Sequence, residues 1–510
     1  MHAFMNSGPF EPCPAPFNLA QYVLAAGRAT PDKIALQILG LTGAERWSYA
    51  SLTQAVRGIG TGLLETGLLP GQRVLLRLGN SVDFPLAFLG AIAAGLVPVP
   101  TSSQLTASEI TGMAAQVAPS AIIAGQGIAL PSGDTPVITT EAMRPWRRKP
   151  PCEWATGDPE RLAYLIFTSG TSGNPRAVMH AHRAVWARRM MWSGWEGLTP
   201  DDRLLHAGAF NWTYTLGTGL LDPWAIGATA LIPGQDVRPH QLPLLLKRFD
   251  ATIFAAAPGV YRQMLREPFP PVPRLRHGLS AGEKLPDTTR ARWQVATSTP
   301  IYEALGMSEV STFISSAPGL AAPDDALGRV QPGRRVAVLG PDGLPVAHDA
   351  AGVLAVDAGD PGLFLGYWQQ PAETAAKFAG GWFLTGDTVS MDATGAVRYL
   401  GRDDDMMNAG GYRVSPIEVE RAYDACPAAV ECAAVELPVS TDSSVIGLFF
   451  VPASDPPDFT ELQTQAARSL ARYKQPRIFQ PVAALPRGAN NKINRRALRD
   501  QWRRDNGHQA

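Results

Sequence analysis

The chain has 510 residues, of which 45% are apolar and 18% charged, with 45 basic side chains against 45 acidic ones. That length exceeds what a single hydrophobic core supports and implies at least two domains, and the composition excludes a disordered chain. A balanced charge excludes a general attraction to nucleic acid or to anionic membrane, so any anion site must be local.

The opening residues, MHAFMNSGPFEPCPAPF, lack a charged region followed by an apolar one, so no secretory signal is expected. RVLLRLGN (73–80) reads as a strand, 81–95 as a helix and LVPVP as a strand again. The most apolar stretch, FPLAFLGAIAAGLVPVP (84–100), is short for a membrane span and broken by Pro85, Pro98 and Pro100; it predicts a buried helix leading into a strand. SAIIAG (120–125), YLIF (164–167), RLLHAGAF (203–210), ATALIPG (228–234) and ATIFAAAP (251–258) read as further buried strands. Helical patterns lie between or after them at 242–250 and 259–267. This alternation predicts an α/β fold with largely parallel sheets layered with helices.

After about residue 326 the pattern changes. RVAVLGPDGLPVA (335–347) and GWFLTGDTVSMDATGAVRYLGR (381–402) read as hairpins, so 326–402 is expected to form a small antiparallel subdomain. GRDDDMMNAGGYRVSPIEVE (401–420) combines three consecutive Asp with two Gly and marks a domain boundary. Beyond it a compact α+β domain is expected, with a helix from about 415, strands at 430–439 and 443–452, a helix near 459–473 and a strand near 478–484. Cys13, Cys152, Cys426 and Cys432 show no CxxC spacing and read as the reduced thiols of a cytoplasmic protein.

FTSGTSGNPRAV (167–178) holds two Gly and four Ser/Thr in its first seven residues, no acid, and one Arg. An apolar run precedes it and HAHRAVWARRMM (180–191), which reads as a helix, follows. A Gly-rich loop between strand and helix is a context for holding phosphate. Gly170 and Gly173 let the backbone approach a ligand. Thr168, Ser169, Thr171 and Ser172 offer hydroxyls and Arg176 a positive charge. No Gly-Lys-Ser/Thr ends the loop, so it is not the usual nucleotide-triphosphatase signature. A plain structural loop is the alternative.

The loop resembles the TSGTTG-x-PKG signature of the adenylate-forming superfamily, which includes acyl- and aryl-CoA synthetases, luciferases and adenylation domains. Further stretches resemble that superfamily's segments in the same order: SAGEKLP (280–286), ALGMSE (304–309), GYW (366–368), FLTGD (383–387), YLGRDDDMMNAGGYRVSPIEVE (399–420) and LPRGANNKINRRALR (485–499). The surroundings look most like benzoate-type and medium-chain acyl-CoA synthetases. The resemblance implies an adenylation domain over 1–402, a hinge at 403–405 and a mobile lid domain over 406–510. It also implies a two-step reaction: a carboxylate attacks the α-phosphorus of ATP, giving an acyl-adenylate and pyrophosphate, and a thiol then displaces AMP. An anion must meet a polyanion, so positive charge and metal are needed where charge accumulates.

By the same resemblance Lys492 meets the carboxylate and α-phosphate, Glu309 holds Mg²⁺ and Ser308 donates a hydroxyl to phosphate. Asp387 accepts the ribose hydroxyls and Arg402 contacts the ribose region. Gly282, Glu283, Glu303 and Ala304 fall at nucleotide-contacting positions. Asp404 is the hinge, and the Gly410–Gly411–Tyr412 face replaces Lys492 in the second pose and lines a thiol tunnel. Phe210, Asn211, Trp212, Tyr214, Pro258, Gly259, Ala281 and Gly306 are expected around the acid. No anionic side chain in these segments stands where an α-amino group would be held, which favours a plain aryl or aliphatic acid.

Three positions depart from the pattern. Arg176 stands in place of the usual Lys, Asn491 in place of the Gly before the terminal Lys, and Leu305 in place of an aromatic residue. GLSAG (278–282) satisfies the Gly-x-Ser-x-Gly nucleophile elbow, but only His348 and His508 follow it. His180 and His182 lie two apart and would diverge on a helix, so no metal site is expected there. The leading expectation is an acid–CoA ligase using ATP, Mg²⁺ and coenzyme A, compatible with a homodimer. The alternatives are an enzyme that loads a carrier protein in trans and a non-catalytic nucleotide-binding paralogue. The chain shows no carrier or condensation domain, which tilts the expectation to free CoA.

Overall fold

The computed structural model describes residues 2–168, 175–323, 325–402, 407–409, 412–440, 443–470, 472–488 and 493–506. Its apolar runs form two parallel systems. Val97–Pro100, Arg73–Arg77, Ala121–Ala124 and Val137–Thr139 pair in that spatial order as one parallel sheet. The larger sheet runs parallel through Ile34–Leu39, Thr229–Pro233, Arg203–His206, Ile253–Ala256, His277–Ala281 and Ile301–Met307. Thr229–Pro233 and Ile253–Ala256 are buried throughout, as strands covered on both faces should be. Helices Tyr49–Glu65 and Asp83–Ala93 pack as the apolar pattern requires, and the latter is buried along nearly its whole length. Among the described residues no helix is long and apolar enough to cross a membrane.

The chain then reverses. Ser311–Ser315 folds back antiparallel on Ile301–Met307, and the same sheet continues antiparallel through Gly328–Val330, Ala396–Arg402, Trp382–Met391, Gly352–Asp357 and Arg335–Leu339. The antiparallel part is thus continuous with the parallel one and begins at Ser311.

The segment after the Gly/Ser/Thr loop departs from expectation. Arg176–Ala181 is a strand, antiparallel to Leu162–Thr168 on one side and to Gly366–Tyr367 on the other. Helix begins only at Ala184. The distant 366–367 partner supplies pairing that local sequence does not reveal. The described flanks of the loop are therefore paired strands, and no helix terminus directly follows it to attract phosphate. His180 stacks on its cross-strand neighbour Tyr164, with centroids 4.6 Å apart. His182 Nδ1 accepts a hydrogen bond from Leu19 N at 3.0 Å. Ser280, of the decoy elbow, is buried within the strand His277–Ala281.

Beyond residue 412 the chain forms helix Pro416–Arg421, the hairpin Ala429–Ser440 with Ser443–Pro452, helix Phe459–Ser469 and the parallel strand Ile478–Pro481. The final helix, Arg495–Asp505, is not announced by the pattern: within RRALRDQWRRD only Leu498 is buried, against Ala433, Val435, Leu437 and Phe449. Arg495 adds an ion pair to Glu420 at 2.7 Å.

His206 is fully buried at the end of its strand, and neither ring nitrogen has a partner among the described residues. Burial holds its pKa down to about 3. A histidine neutral when folded and free to take a proton near pH 6.5 when unfolded stabilises the fold above that pH, and the contribution is lost as pH falls toward 3. Between pH 7 and pH 5 the wild-type large domain should lose about 2 kcal/mol more unfolding free energy than a His206→Leu variant, read from urea titrations at both pH values.

Candidate active site

Ligands of parallel α/β sheets bind outside the carboxyl ends of the strands. Arg203–His206, Ile253–Ala256, His277–Ala281 and Ile301–Met307 are successive neighbours, and the segments that leave their carboxyl ends are 207–214, 257–259, 282–285 and 308–310. Phe210, Asn211, Trp212, Tyr214, Pro258, Gly259, Gly282, Glu283, Ser308 and Glu309 sit on these segments.

The sharpest feature is the turn after Met307. Gly306 lies against the returning strand, where an added Cβ would fall 2.4 Å from Ser311 O and 2.6 Å from Thr312 Cα. The ladder shifts register between Leu305 and Gly306, and Ser311 takes a left-handed φ of 67°. Gly306 thus serves the reversal. Ser308 Oγ shares a hydrogen bond with Thr213 Oγ1 at 3.0 Å. Glu309 is buried; its Oε1 accepts from Tyr367 Oη at 2.8 Å and its backbone carbonyl from Phe364 N at 2.7 Å. Burial, and next the Glu309 charge, push the Tyr367 phenol far above its ordinary range, so it remains a donor.

Arg176 meets the same tyrosine. Its Cζ lies 5.4 Å from the Tyr367 ring centroid and its Nε 2.6 Å from Glu373 Oε2. Thr168 pairs across the hairpin with Arg176. Tyr367 was visible in the GYW stretch, but nothing in the sequence gave it a role toward Glu309.

Asp387 is buried on Trp382–Met391; its Oδ1 accepts from Tyr399 Oη at 3.2 Å and its N–H donates to Thr385 Oγ1 at 3.0 Å. Its cross-strand partner in register is Arg402, which ends strand Ala396–Arg402. The two sequence-separated ribose candidates are therefore neighbours on one hairpin.

Glu303 is committed elsewhere. Its Oε1 accepts from Leu285 N at 2.8 Å and its Oε2 from Arg290 Nη2 at 2.9 Å. Burial raises its pKa, and Arg290 opposes that shift. Its carboxylate secures the 282–285 loop. Gly282 needs its φ of 98° and its missing side chain, because a Cβ would come 2.8 Å from Trp212 Cζ2. Glu283 follows in the same bend.

The aromatic wall divides. Trp212 meets Tyr214 edge-on at 5.3 Å and joins Ala281 and Ala304 in one apolar cluster. Tyr214 turns its hydroxyl inward to Leu279 O at 3.0 Å. Phe210 does not line the site: it is 1% exposed and stacks on Phe84 at 5.0 Å, inside the main core. Asn211 borders a cleft of about 430 Å³ with Gly79, Asn80 and Gln235. Pro258 and Gly259 are buried at the start of helix Pro258–Met264.

Ser169, Gly170, Thr171, Ser172, Gly173, Asp404, Gly410, Gly411 and Lys492 lie outside the described residues, as does the Arg402 side chain. Tyr412 starts the short strand Tyr412–Val414, paired with Met407–Ala409.

With this geometry in view, comparison with known proteins is specific. The chain belongs to the AMP-binding enzyme family: residues 24–368 match that family and residues 418–492 match the AMP-binding enzyme C-terminal domain. It is 31% identical to the benzoate–CoA ligase of Thauera aromatica, over 89% of this chain and 90% of that protein. It is 29% identical to the human mitochondrial acyl-coenzyme A synthetase ACSM2A, over 96% of this chain and 92% of that one. The anthranilate CoA ligase AuaEII, solved with anthranoyl-AMP, superposes with a TM-score of 0.87 at 25% identity, covering 96% of this chain and 98% of that chain.

Removing the Tyr367 hydroxyl leaves a buried carboxylate without its donor. Tyr367→Phe should fold normally yet lower adenylation about tenfold and raise the Mg²⁺ needed for half-maximal rate, measured by pyrophosphate exchange across a Mg²⁺ series.

Proposed function

We propose that this protein is an ATP-dependent acid–CoA ligase. A carboxylate oxygen attacks the α-phosphorus of ATP, the bond to the bridging oxygen breaks, and acyl-adenylate and pyrophosphate form. The CoA thiolate then attacks the acyl carbon and AMP leaves, giving the thioester. The observation that carries this reading is the Ser308–Glu309 turn, set at the carboxyl edge of the parallel sheet, with Glu309 held by Tyr367 beneath Arg176.

Among the described residues no group of three or more His, Cys, Asp or Glu could hold a metal. A single carboxylate fits Mg²⁺, which is bound through one or two carboxylates together with substrate phosphates and water. Glu309, with the Ser308 hydroxyl beside it, supplies the hard oxygen donors; Mg²⁺ there would offset phosphate charge. Ser308 orients phosphate by hydrogen bonding, Asp387 holds the ribose, and the Gly/Ser/Thr segment 168–176 contacts the outgoing pyrophosphate. Lys492 brings a mobile cation to the α-phosphate. The body over 406–510 turns about 403–405 so that Gly410, Gly411 and Tyr412 line the thiol path in the second step, and domain motion gates the two reactions.

The acid is a benzoate-like aryl acid or a medium-chain acid. Support comes from the apolar cluster of Trp212, Tyr214, Ala281 and Ala304 and from relatives whose names include benzoate. Free CoA is the acceptor and the cytoplasm the site of action; a carrier protein in trans is the second reading, and a homodimer is compatible with both.

A panel of carboxylic acids in ATP–pyrophosphate exchange, followed by thioester formation, tests the proposal. Exchange and acyl-CoA formation are expected with at least one aryl or medium-chain acid. Exchange without CoA product would favour the carrier-protein loader, and no exchange with any acid would overturn the ligase reading. Lys492→Ala should slow adenylation by about 100- to 1,000-fold while thiol transfer from a supplied acyl-adenylate suffers less, read by single-turnover measurements of each half-reaction.

A further inference from the structure

Behind Ser308 lies a cluster of ionisable side chains that the reaction does not use. Arg188 is 8% exposed and Asp222 1%, and they pair through two bonds: Nε to Oδ1 at 2.8 Å, and Nη2 to Oδ2. Nη2 also reaches Thr218 Oγ1 at 3.2 Å. The remaining arm, Nη1, donates to the hydroxyl of Ser311. Glu196 is fully buried beside this pair; burial first and the Asp222 charge next push its carboxyl well above the carboxylate range.

The backbone is shaped around this pair. The guanidinium lies against Gly217, where a Cβ would fall 2.2 Å from Arg188 Cζ. Gly217 opens the π-turn Gly217–Leu221, which carries Thr218 and runs into Asp222, and a second π-turn, Trp192–Glu196, carries Glu196. Such turns inside helices collect at functional sites. Arg188, Ser308 and Ser311 line the same cavity of about 20 Å³, room for one water, together with Thr213, Tyr164 and His180. His180 is 3% exposed and its Nε2 has no hydrogen-bond partner among the described residues.

We infer that Arg188 and Ser311 are positioning residues for Glu309, resting on the assignment of Glu309 to Mg²⁺ proposed above. Ser311 stands two residues after Glu309 in a left-handed conformation that a serine does not favour. The Arg188 hydrogen bond holds it there, Asp222 and Thr218 fix the guanidinium, and the Gly217 gap admits it. Tyr367 secures the Glu309 carboxylate from one side and Arg188 secures its backbone turn from the other. Groups that orient a metal ligand act on the metal without touching it.

The test uses the full-length protein with Mn²⁺ as the probe and α,β-methylene-ATP present, free Mn²⁺ being read by electron paramagnetic resonance. Ser311→Gly accepts the left-handed φ and removes only the hydroxyl link. It should keep the wild-type urea midpoint and acid KM while binding Mn²⁺ about tenfold more weakly. Arg188→Met should weaken Mn²⁺ in the same direction with a loss of stability, and Arg188→Lys should recover part of both. A folded Ser311→Gly variant with unchanged Mn²⁺ affinity would overturn the inference. Absence of Mn²⁺ binding by wild-type protein that does bind the nucleotide would overturn the Glu309 assignment itself.

Discussion

The structure turns on a single reversal. After Met307 the growing sheet stops running parallel, and within Ser308, Glu309 and Val310 it begins to run antiparallel. A carboxylate placed in so short a turn, and buried there, must be aimed by its neighbours. Gly306 provides the close backbone approach, Ser311 the left-handed residue, and Tyr367 the hydrogen bond. Each belongs to a different contact of the same turn, and none of them could be shifted without moving Glu309.

Charge is handled by pairing rather than by abundance, as zero net charge requires. Arg176, which departs from the family's Lys, spends part of its fork on Glu373 and lies over Tyr367. The substitution therefore does more than keep a positive charge: a planar guanidinium can face a ring and grip a carboxylate together, which an ammonium does less well. Arg188 and Asp222 form a second, deeper pair, and Arg290 with Glu303 a third under the 282–285 loop. Removing one partner of the Arg188–Asp222 pair leaves a buried charge uncompensated, and that cost keeps the pair together.

The sequence read well where side-chain periodicity and punctuation act locally. The parallel strands at 73–77, 97–100, 121–124, 203–206, 229–233 and 253–256, the helices at 242–248 and 258–264, the 382–402 hairpin and the small domain's elements as far as Ile478–Pro481 follow from apolar runs bounded by Gly, Pro and Asp. Reading failed where a distant partner decides. Arg176–Ala181 is a strand held between Leu162–Thr168 and the distant Gly366–Tyr367, so the helix read from His180 begins only at Ala184. Phe210 reads as a pocket wall by position, but Phe84 draws it into the core. Glu303 reads as a nucleotide contact, but Arg290 and Leu285 claim its carboxylate.

The sequence by itself determined the family and the two-step chemistry, because nucleotide and carboxylate chemistry demand particular side chains in ordered segments. Only the tertiary structure decided which of those side chains are free to act and which are held. Tyr367 reaches Glu309 across 58 residues and Arg188 reaches Ser311 across 123, separations over which no local preference operates. Such contacts exist only once packing has excluded water and fixed both backbones.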